Sequence, residues 1–334
     1  MSRVLEVENL RVTFPGPNGS RVAAVDGVSF VLHRGETLAL VGESGCGKSL
    51  TSLSLLRLVP APGRIEPESR IRLGNTSVLL LEGDALREIR GRRIGMIFQD
   101  PMTSLDPVFK VGDQIAEGIL AHFSISKREA RERAVALLKE VGIPDPAARA
   151  DAYPHQLSGG MRQRVMIAIA LAAEPEILIA DEPTTALDVT VQAQILEVLD
   201  RLRAQRGMAV LLITHDLGIV AGRADRVAVM YAGEIVEEAP TASLFARPSH
   251  PYTQGLFASI PRLSGPVSRL NPIPGTVPPA SAWPSGCRFR PRCPYAFERC
   301  VEEPALLPVA PEHRGRCWLL DPASAGPERL KGTN

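Results

Sequence analysis

The stretch TLALVGESGCGKS, residues 37–49, constrains this 334-residue chain more than any other. TLALV is a short apolar run suited to a strand buried on both faces. The glycine loop GESGCGKS, Gly42 to Ser49, follows it directly and fits G-x-x-x-x-G-K-[ST]. An apolar helix pattern, SLTSLSLLRLV, comes next and ends before Pro60. A strand, a glycine loop and a helix in that order form a phosphate cradle: the glycines let backbone N–H groups converge on phosphate oxygens, and the helix N-terminus adds its dipole. Gly42, Glu43, Ser44, Gly45, Cys46, Gly47 and Leu50 are expected to line that cradle. Lys48 is expected to reach the β- and γ-phosphates, and the Ser49 hydroxyl to bind Mg²⁺.

The pattern beyond residue 155 repeats strand and helix: ILIAD, VQAQILEVLDRLRAQ, AVLLITHD and RVAVMYAGEIVEE. Such alternation predicts a largely parallel sheet covered on both faces. Residues 1–40 read as strands, with Val4, Leu5, Val7 and Leu10 alternating. Residues 101–155 read as a helical insertion: DQIAEGILAHF, then SKREARERAVALLKEVG. The second of these opens with Ser126 and Glu129 at capping-box spacing. Ala130, Ala134, Leu137, Leu138 and Val141 make its apolar face, and Gly142 is a C-cap candidate. Beyond about residue 240 the chain turns proline-rich and loses periodicity. The expected organisation is an α/β nucleotide-binding core at 1–100 and 156–240, a helical subdomain at 101–155, and an appended cysteine-rich module at 241–334.

Thirty-eight lysines and arginines nearly cancel 37 aspartates and glutamates. The chain therefore has no field of one sign to draw in nucleic acid or an anionic membrane, and no nucleic-acid partner is expected. No apolar run approaches the ~18 residues that span a bilayer; Val165 to Ala173 is the longest. The N-terminus lacks a signal-peptide profile. The expected place is the cytosol, with any membrane role supplied through a partner.

Four further sites carry chemistry. In ILIADE, Asp181 at a strand end is suited to hold Mg²⁺, directly or through water. Glu182 would polarise the attacking water, as base or as positioning group. Gln99 closes the strand RIGMIFQ, where its amide would ligate Mg²⁺ and report on the γ-phosphate. His215 ends AVLLITH, and a neutral imidazole there would bond the γ-phosphate and orient the water or Glu182. Ser158, Gly159 and Gly160 open the helix MRQRVMIAIALAA and form a second anion site. One chain already has a complete cradle at 42–49, so a second makes sense if it serves a nucleotide held by another subunit.

GESGCGKS, Gln99, LSGGM, ILIADE, Ala186-Leu187-Asp188 and His215, in that order, resemble the nucleotide-binding subunit of an ATP-binding cassette (ABC) transporter. The resemblance covers about residues 4–240. It implies a P-loop fold: a RecA-like core with an antiparallel β subdomain and a helical subdomain. It also implies that LSGGM of one cassette completes the ATP site on the opposing glycine loop, and that Asp188 communicates across that dimer. It further implies an aromatic residue stacked on adenine, with Phe14 the candidate and a core role its alternative. A soluble ABC ATPase of DNA repair or chromosome maintenance shares the core motifs.

The tail narrows the family. SHPYTQGLFASIP, IPGTVP and GCRFRPRCPYAFERC resemble the ATPases of oligopeptide and dipeptide importers, some relatives of which serve nickel or glutathione. Cys287, Cys293, Cys300 and Cys317 follow C-x5-C-x6-C-x16-C. Four thiolates suit zinc or a [4Fe–4S] cluster, and paired C-x2-C knuckles are missing. The resemblance implies the cluster; structural thiols are the remaining reading. It also implies a paralogous second cassette in a heterodimer, two permease subunits, an extracytoplasmic binding protein, and a peripheral place on the cytoplasmic face of the membrane.

Overall fold

The computed structural model describes residues 2–100, 104–185, 187–259 and 273–324. At the N-terminus, β1 (Arg3–Pro15) and β2 (Arg21–His33) pair antiparallel. Leu5, Val7, Leu10 and Val12 of β1 are buried, and the alternation slips by one residue between Val7 and Leu10. Asn9 takes up the extra residue at φ 48°, a conformation that asparagine tolerates at a bulge. After β3 (Thr37–Val41) and α1 (Lys48–Leu55), the short strands β4 (Arg64–Ile65), β5 (Arg70–Leu73) and β6 (Thr76–Ser77) complete this outer sheet. Its order is β2-β1-β5-β6, with β4 beside β1.

Helix α1 ends at Leu55, short of the expected boundary before Pro60. Arg57 adopts φ 52°, and Arg90, just past α2 (Gly83–Ile89), donates from Nε to Leu56 O at 2.9 Å and from Nη2 to Arg57 O at 3.0 Å. A distant guanidinium thus satisfies carbonyls that another helical turn would have used.

The central sheet runs β12-β13-β11-β10-β3-β9-β8-β7. Its parallel part is β7 (Ile94–Ile97), β8 (Ile177–Asp181), β9 (Ala209–Thr214), β3 and β10 (Arg226–Tyr231). Successive side chains on these strands point to opposite faces. Leu38 and Leu40 of β3, Ile177 and Ile179 of β8, and Leu211 and Ile213 of β9 share one core with the outer sheet. On the opposite face, Leu178, Ala180, Val210 and Leu212 pack with the helices. Those helices are α3 (Val111–Leu120), α4 (Lys127–Glu140), α5 (Gly159–Ala170) and α6 (Val189–Arg206). Ser126 caps α4 as expected, its Oγ accepting from Glu129 N at 3.2 Å.

The far end of that second face belongs to the tail. Ala39 and Val41 of β3 and Val227, Val229 and Tyr231 of β10 pack with α7 (Leu217–Ala221). β11 (Glu234–Pro240) folds back on β10 through Ala232 and Gly233, both at positive φ. α8 (Thr241–Ala246) and α9 (Pro251–Ala258) follow. Phe289 joins this same core, and Trp283, Cys287 and Cys293 pack against the core's edge. β12 (Leu307–Ala310) and β13 (His313–Gly315) then extend the sheet beyond β11. The segment expected as an appended module stapled by cysteines packs on the central sheet, whose β3–β10 face would otherwise leave its apolar residues in water. No described helix is long and apolar enough to cross a membrane.

Candidate active site

The glycine loop closes over the C-terminal end of β3. Gly47 sits at φ 105°, and a Cβ there would lie 2.8 Å from both Ala24 O and the Met230 methyl, so only glycine fits. Buried Lys48 folds back on the loop, its Nζ donating to Gly42 O at 2.8 Å and Glu43 O at 3.1 Å. Ser49 Oγ donates to Asp181 Oδ1 at 3.2 Å, and Ser52 Oγ to Oδ2 at 3.4 Å. Burial, with the neighbouring Glu182 charge adding to it, pushes the Asp181 carboxyl up. The Cys46 thiol is fully buried and also pushed up by burial.

Three side chains meet at Glu182. Gln99 Nε2 donates to Glu182 Oε2 at 3.2 Å, Thr185 Oγ1 donates to the same oxygen at 2.9 Å, and His215 Nδ1 lies 3.2 Å from Oε1. Burial pushes this carboxyl up, but the hydrogen bonds from Thr185 and His215 and the Lys48 charge outweigh it and hold it below the ordinary range. Glu182 also adopts φ 47°, a left-handed conformation that costs an ordinary residue on the order of 1 kcal/mol. A cleft of about 180 Å³ opens beside it, lined by Thr184, Thr185, Gln192, Thr214 and His215 among others.

Ser158, Gly159, Gly160 and Asp188 form a separate group. Ser158 and Asp188 cap α5 and α6, accepting from Met161 N at 3.4 Å and Val191 N at 3.0 Å. A Cβ on Gly160 would stand 2.7 Å from Val191 Cγ1, so the two helix starts abut. Among the described residues, the hydrogen bonds of Ser158 and Asp188 stay within their own helices and do not reach residues 42–49. Leu187 lies beside Gly159; Ala186 lies outside the described residues, as do Ile260 and Pro261. Half-buried Phe14 packs on the core below the outer sheet, and a Cβ on Gly63 would meet its ring at 2.6 Å. Sequence reasoning missed Thr185 and Ser52, although each lies three residues beyond the end of a motif it singled out. It also missed Arg292 and Tyr252, which reach Glu43 from the tail with no local signal.

The cysteines tell a divided story. Cys287, Cys293, Cys300 and Cys317 line one small cavity with His250, Pro251 and Phe289. No disulfide joins them. Burial pushes the Cys287 thiol up to about 12 and Cys293 up to about 11. Among the described residues no group of three or more His, Cys, Asp or Glu side chains stands ready to hold a metal. The four cysteines expected as ligands of an iron–sulfur cluster come together round one cavity.

Residues 25–185 match the ABC transporter family model, and residues 236–300 match the oligopeptide/dipeptide transporter C-terminal region. The dipeptide transport ATP-binding protein DppD of Bacillus subtilis (strain 168) is 51% identical over 96% of this chain and 96% of its own. The chain belongs to the ABC transporter ATP-binding proteins of the oligopeptide/dipeptide type. It is an ATPase. The oligopeptide transport ATP-binding protein AppD of the same organism is 49% identical to this cassette over 97% of the chain and 99% of its own. Among solved structures, the ATP-binding cassette MJ0796 in a dimeric post-hydrolysis state bound to ADP and Pi shares 29% identity at TM-score 0.62, covering 71% of this chain and 98% of that one. For cbiO1 from Clostridium perfringens, part of the ABC transporter complex cbiONQ, identity is again 29% and TM-score 0.62, covering 74% of this chain and 92% of that one.

Proposed function

We propose that this cassette hydrolyses ATP to power peptide import, with Glu182 at the centre of its chemistry. The observation that carries this reading is the convergence of Gln99, Thr185 and His215 on Glu182, one residue from the Asp181–Ser49 pair. The loop amides of residues 42–50 bind the phosphates, and Lys48 leaves its own loop carbonyls for the β- and γ-oxygens. Ser49, Asp181 and Gln99 are the oxygen donors that would hold Mg²⁺, which supplies charge neutralisation on the phosphates. Glu182, held low and therefore ionised, accepts a hydrogen bond from the attacking water; so weak a base positions the water more than it deprotonates it. His215 and Gln99 sense the γ-phosphate. Phe14 stacks on adenine.

Ser158, Gly159, Gly160 and Asp188 stand apart from the chain's own phosphate loop, which supports their serving an ATP on a second, paralogous cassette. Closure of that heterodimer over two ATP, and reopening after hydrolysis, draws on the nucleotide's differential affinity for the closed state. Residues 101–155 dock on two permease subunits at the cytoplasmic face of the membrane, fed by an extracytoplasmic binding protein. Relatives named for dipeptide and oligopeptide transport favour peptides over nickel or glutathione, and import over DNA repair. Cys287, Cys293, Cys300 and Cys317 share one cavity, and that donor set fits a thiophilic centre, iron–sulfur in preference to zinc; the iron and zinc contents of anaerobically purified protein decide between the two.

Replacing Glu182 with Gln should leave ATP affinity within about twofold and lower turnover by about a hundredfold or more. Equilibrium nucleotide binding and phosphate release measure the two quantities. Turnover near the parent rate would remove Glu182 from its role.

A further inference from the structure

The glycine loop is gripped from the tail. Glu43, its second residue, faces Arg292, whose side chain is only 5% exposed. Nη1 and Nη2 of Arg292 fork onto Glu43 Oε2 at 2.7 Å and Oε1 at 3.0 Å. The remaining donors reach Pro274 O at 2.8 Å, Gly275 O at 3.3 Å and Tyr231 Oη at 3.5 Å. All five guanidinium N–H groups thus have acceptors in one fixed geometry, which a lysine cannot reproduce. Tyr252 Oη accepts from Glu43 N at 2.9 Å, so the same loop residue is held at backbone and side chain.

Both grips originate at the thiol cavity. Arg292 is the chain neighbour of Cys293. Tyr252 follows His250 and Pro251, which line the cavity, and its N–H donates to His250 Nδ1 at 3.0 Å. Phe289 lines the cavity too and packs against both tyrosines, with ring centroids 5.3 Å from Tyr231 and 5.5 Å from Tyr252. Glu43 O, in turn, accepts from Lys48 Nζ, the group that must reach the nucleotide. Thiol cavity, Arg292, Glu43 and Lys48 form one contiguous chain of contacts.

We propose that Arg292 is a positioning residue of the ATP site, which sets the loop at Glu43 and makes ATP affinity depend on the packing of the four-cysteine cavity. This rests on the nucleotide reading of residues 42–49. A movement of Cys293 drags the fork with it, because the guanidinium has no slack. A cavity held rigid keeps Glu43, and with it the loop amides, ready for phosphate. The coupling lowers the ordering required on binding and so acts on affinity before it acts on chemistry.

The test uses the full-length chain carrying Glu182→Gln, so that binding is read without hydrolysis. Arg292→Gln and Glu43→Gln should each weaken a fluorescent ATP analogue by about tenfold, and together by no more than either alone. Hydrogen exchange of the amides at 42–47 should speed up in both. In the turnover-competent background, KM for ATP should rise by the same factor while kcat changes less than twofold. Cys293→Ser should weaken binding in the parent and add nothing to Arg292→Gln. Should Arg292→Gln fail to fold, Glu43→Gln breaks the pair from its half-exposed side, and Arg292→Lys keeps the charge while losing the fork. Parental affinity in the Glu43 and Arg292→Lys variants, additive losses in the double variant, or a Cys293→Ser effect that persists without Arg292 would overturn the proposal. Failure of the parent itself to bind ATP would instead overturn the nucleotide reading.

Discussion

Asp181 and Glu182 are adjacent carboxyls pushed in opposite directions. Asp181 is raised because it lies deep at the end of β8, with a second carboxylate beside it. Glu182 is held low because hydrogen bonds from Thr185 and His215 and the Lys48 charge outweigh its burial. A raised carboxyl takes up its proton at a pH where an ordinary one is still ionised, and the protonated form does not ligate a divalent cation. Mg²⁺-dependent ATP binding should therefore weaken as pH falls, starting above the ordinary carboxylate range near ~4. That acid limb should vanish in Asp181→Asn, once the nucleotide's own protonation is subtracted, and persist in Glu182→Gln. Calorimetric titration of Mg·ATP from pH 5 to 8 measures it, and an identical limb in Asp181→Asn would refute the assignment. The identity of these residues was legible in ILIADE. Their opposite tuning was not, because it comes from the depth at which the fold buries Asp181 and from the bonds that Thr185 and His215 bring to Glu182.

At the scale of elements, local chemistry decided where it was complete. Ser126 and Glu129 predict the start of α4, and the cap is there. Ser126→Ala should cost about 1 kcal/mol, seen as a lower denaturant midpoint with an unchanged slope. A change of less than a few tenths would mean that tertiary packing, not the cap, holds this end. Where the deciding partner was distant, local reading overran: α1 stops at Leu55, Arg90 takes the Leu56 and Arg57 carbonyls just beyond it, and nothing between residues 49 and 60 carries that information. The tail's elements were unreadable for a related reason. β12 and β13 are four and three residues long, too short for a period to show, and they exist because β11 offers an edge.

For the whole molecule, the decisive fact is that one face of the central sheet is covered by two unlike structures. Helices α3 to α6 cover the β7–β9 end, and the cysteine-bearing tail covers the β3–β10 end. Ending the chain after Pro240 should therefore uncover Val227, Val229 and Tyr231 and destabilise the ATPase core by several kcal/mol, at ~1.5–3 kcal/mol per large apolar side chain. Thermal unfolding and binding of a hydrophobic dye would report it, and a truncated chain melting with the parent would show the tail to be energetically separate. Buried Glu237 reinforces the seam, accepting from His250 N at 2.8 Å and lying 2.7 Å from His313 Nε2. Removing the tail strips His250 and His313 together and leaves that carboxylate without partners, a second cost of the same deletion.

By itself the sequence determined the phosphate loop, the strand-ending acid pair, the second glycine motif and the helical insertion. Each is a short-range pattern whose physics is carried by neighbours within a turn or two. Only the tertiary structure decided what those residues meet: Glu182 ringed by Gln99, Thr185 and His215, the glycine loop held through Glu43 by Arg292, and four cysteines facing one cavity inside the core. These are contacts across up to 249 residues of chain. They form because two faces of one sheet must be covered, and burial, being non-directional, leaves no mark in local spacing to announce which distant segment will cover them.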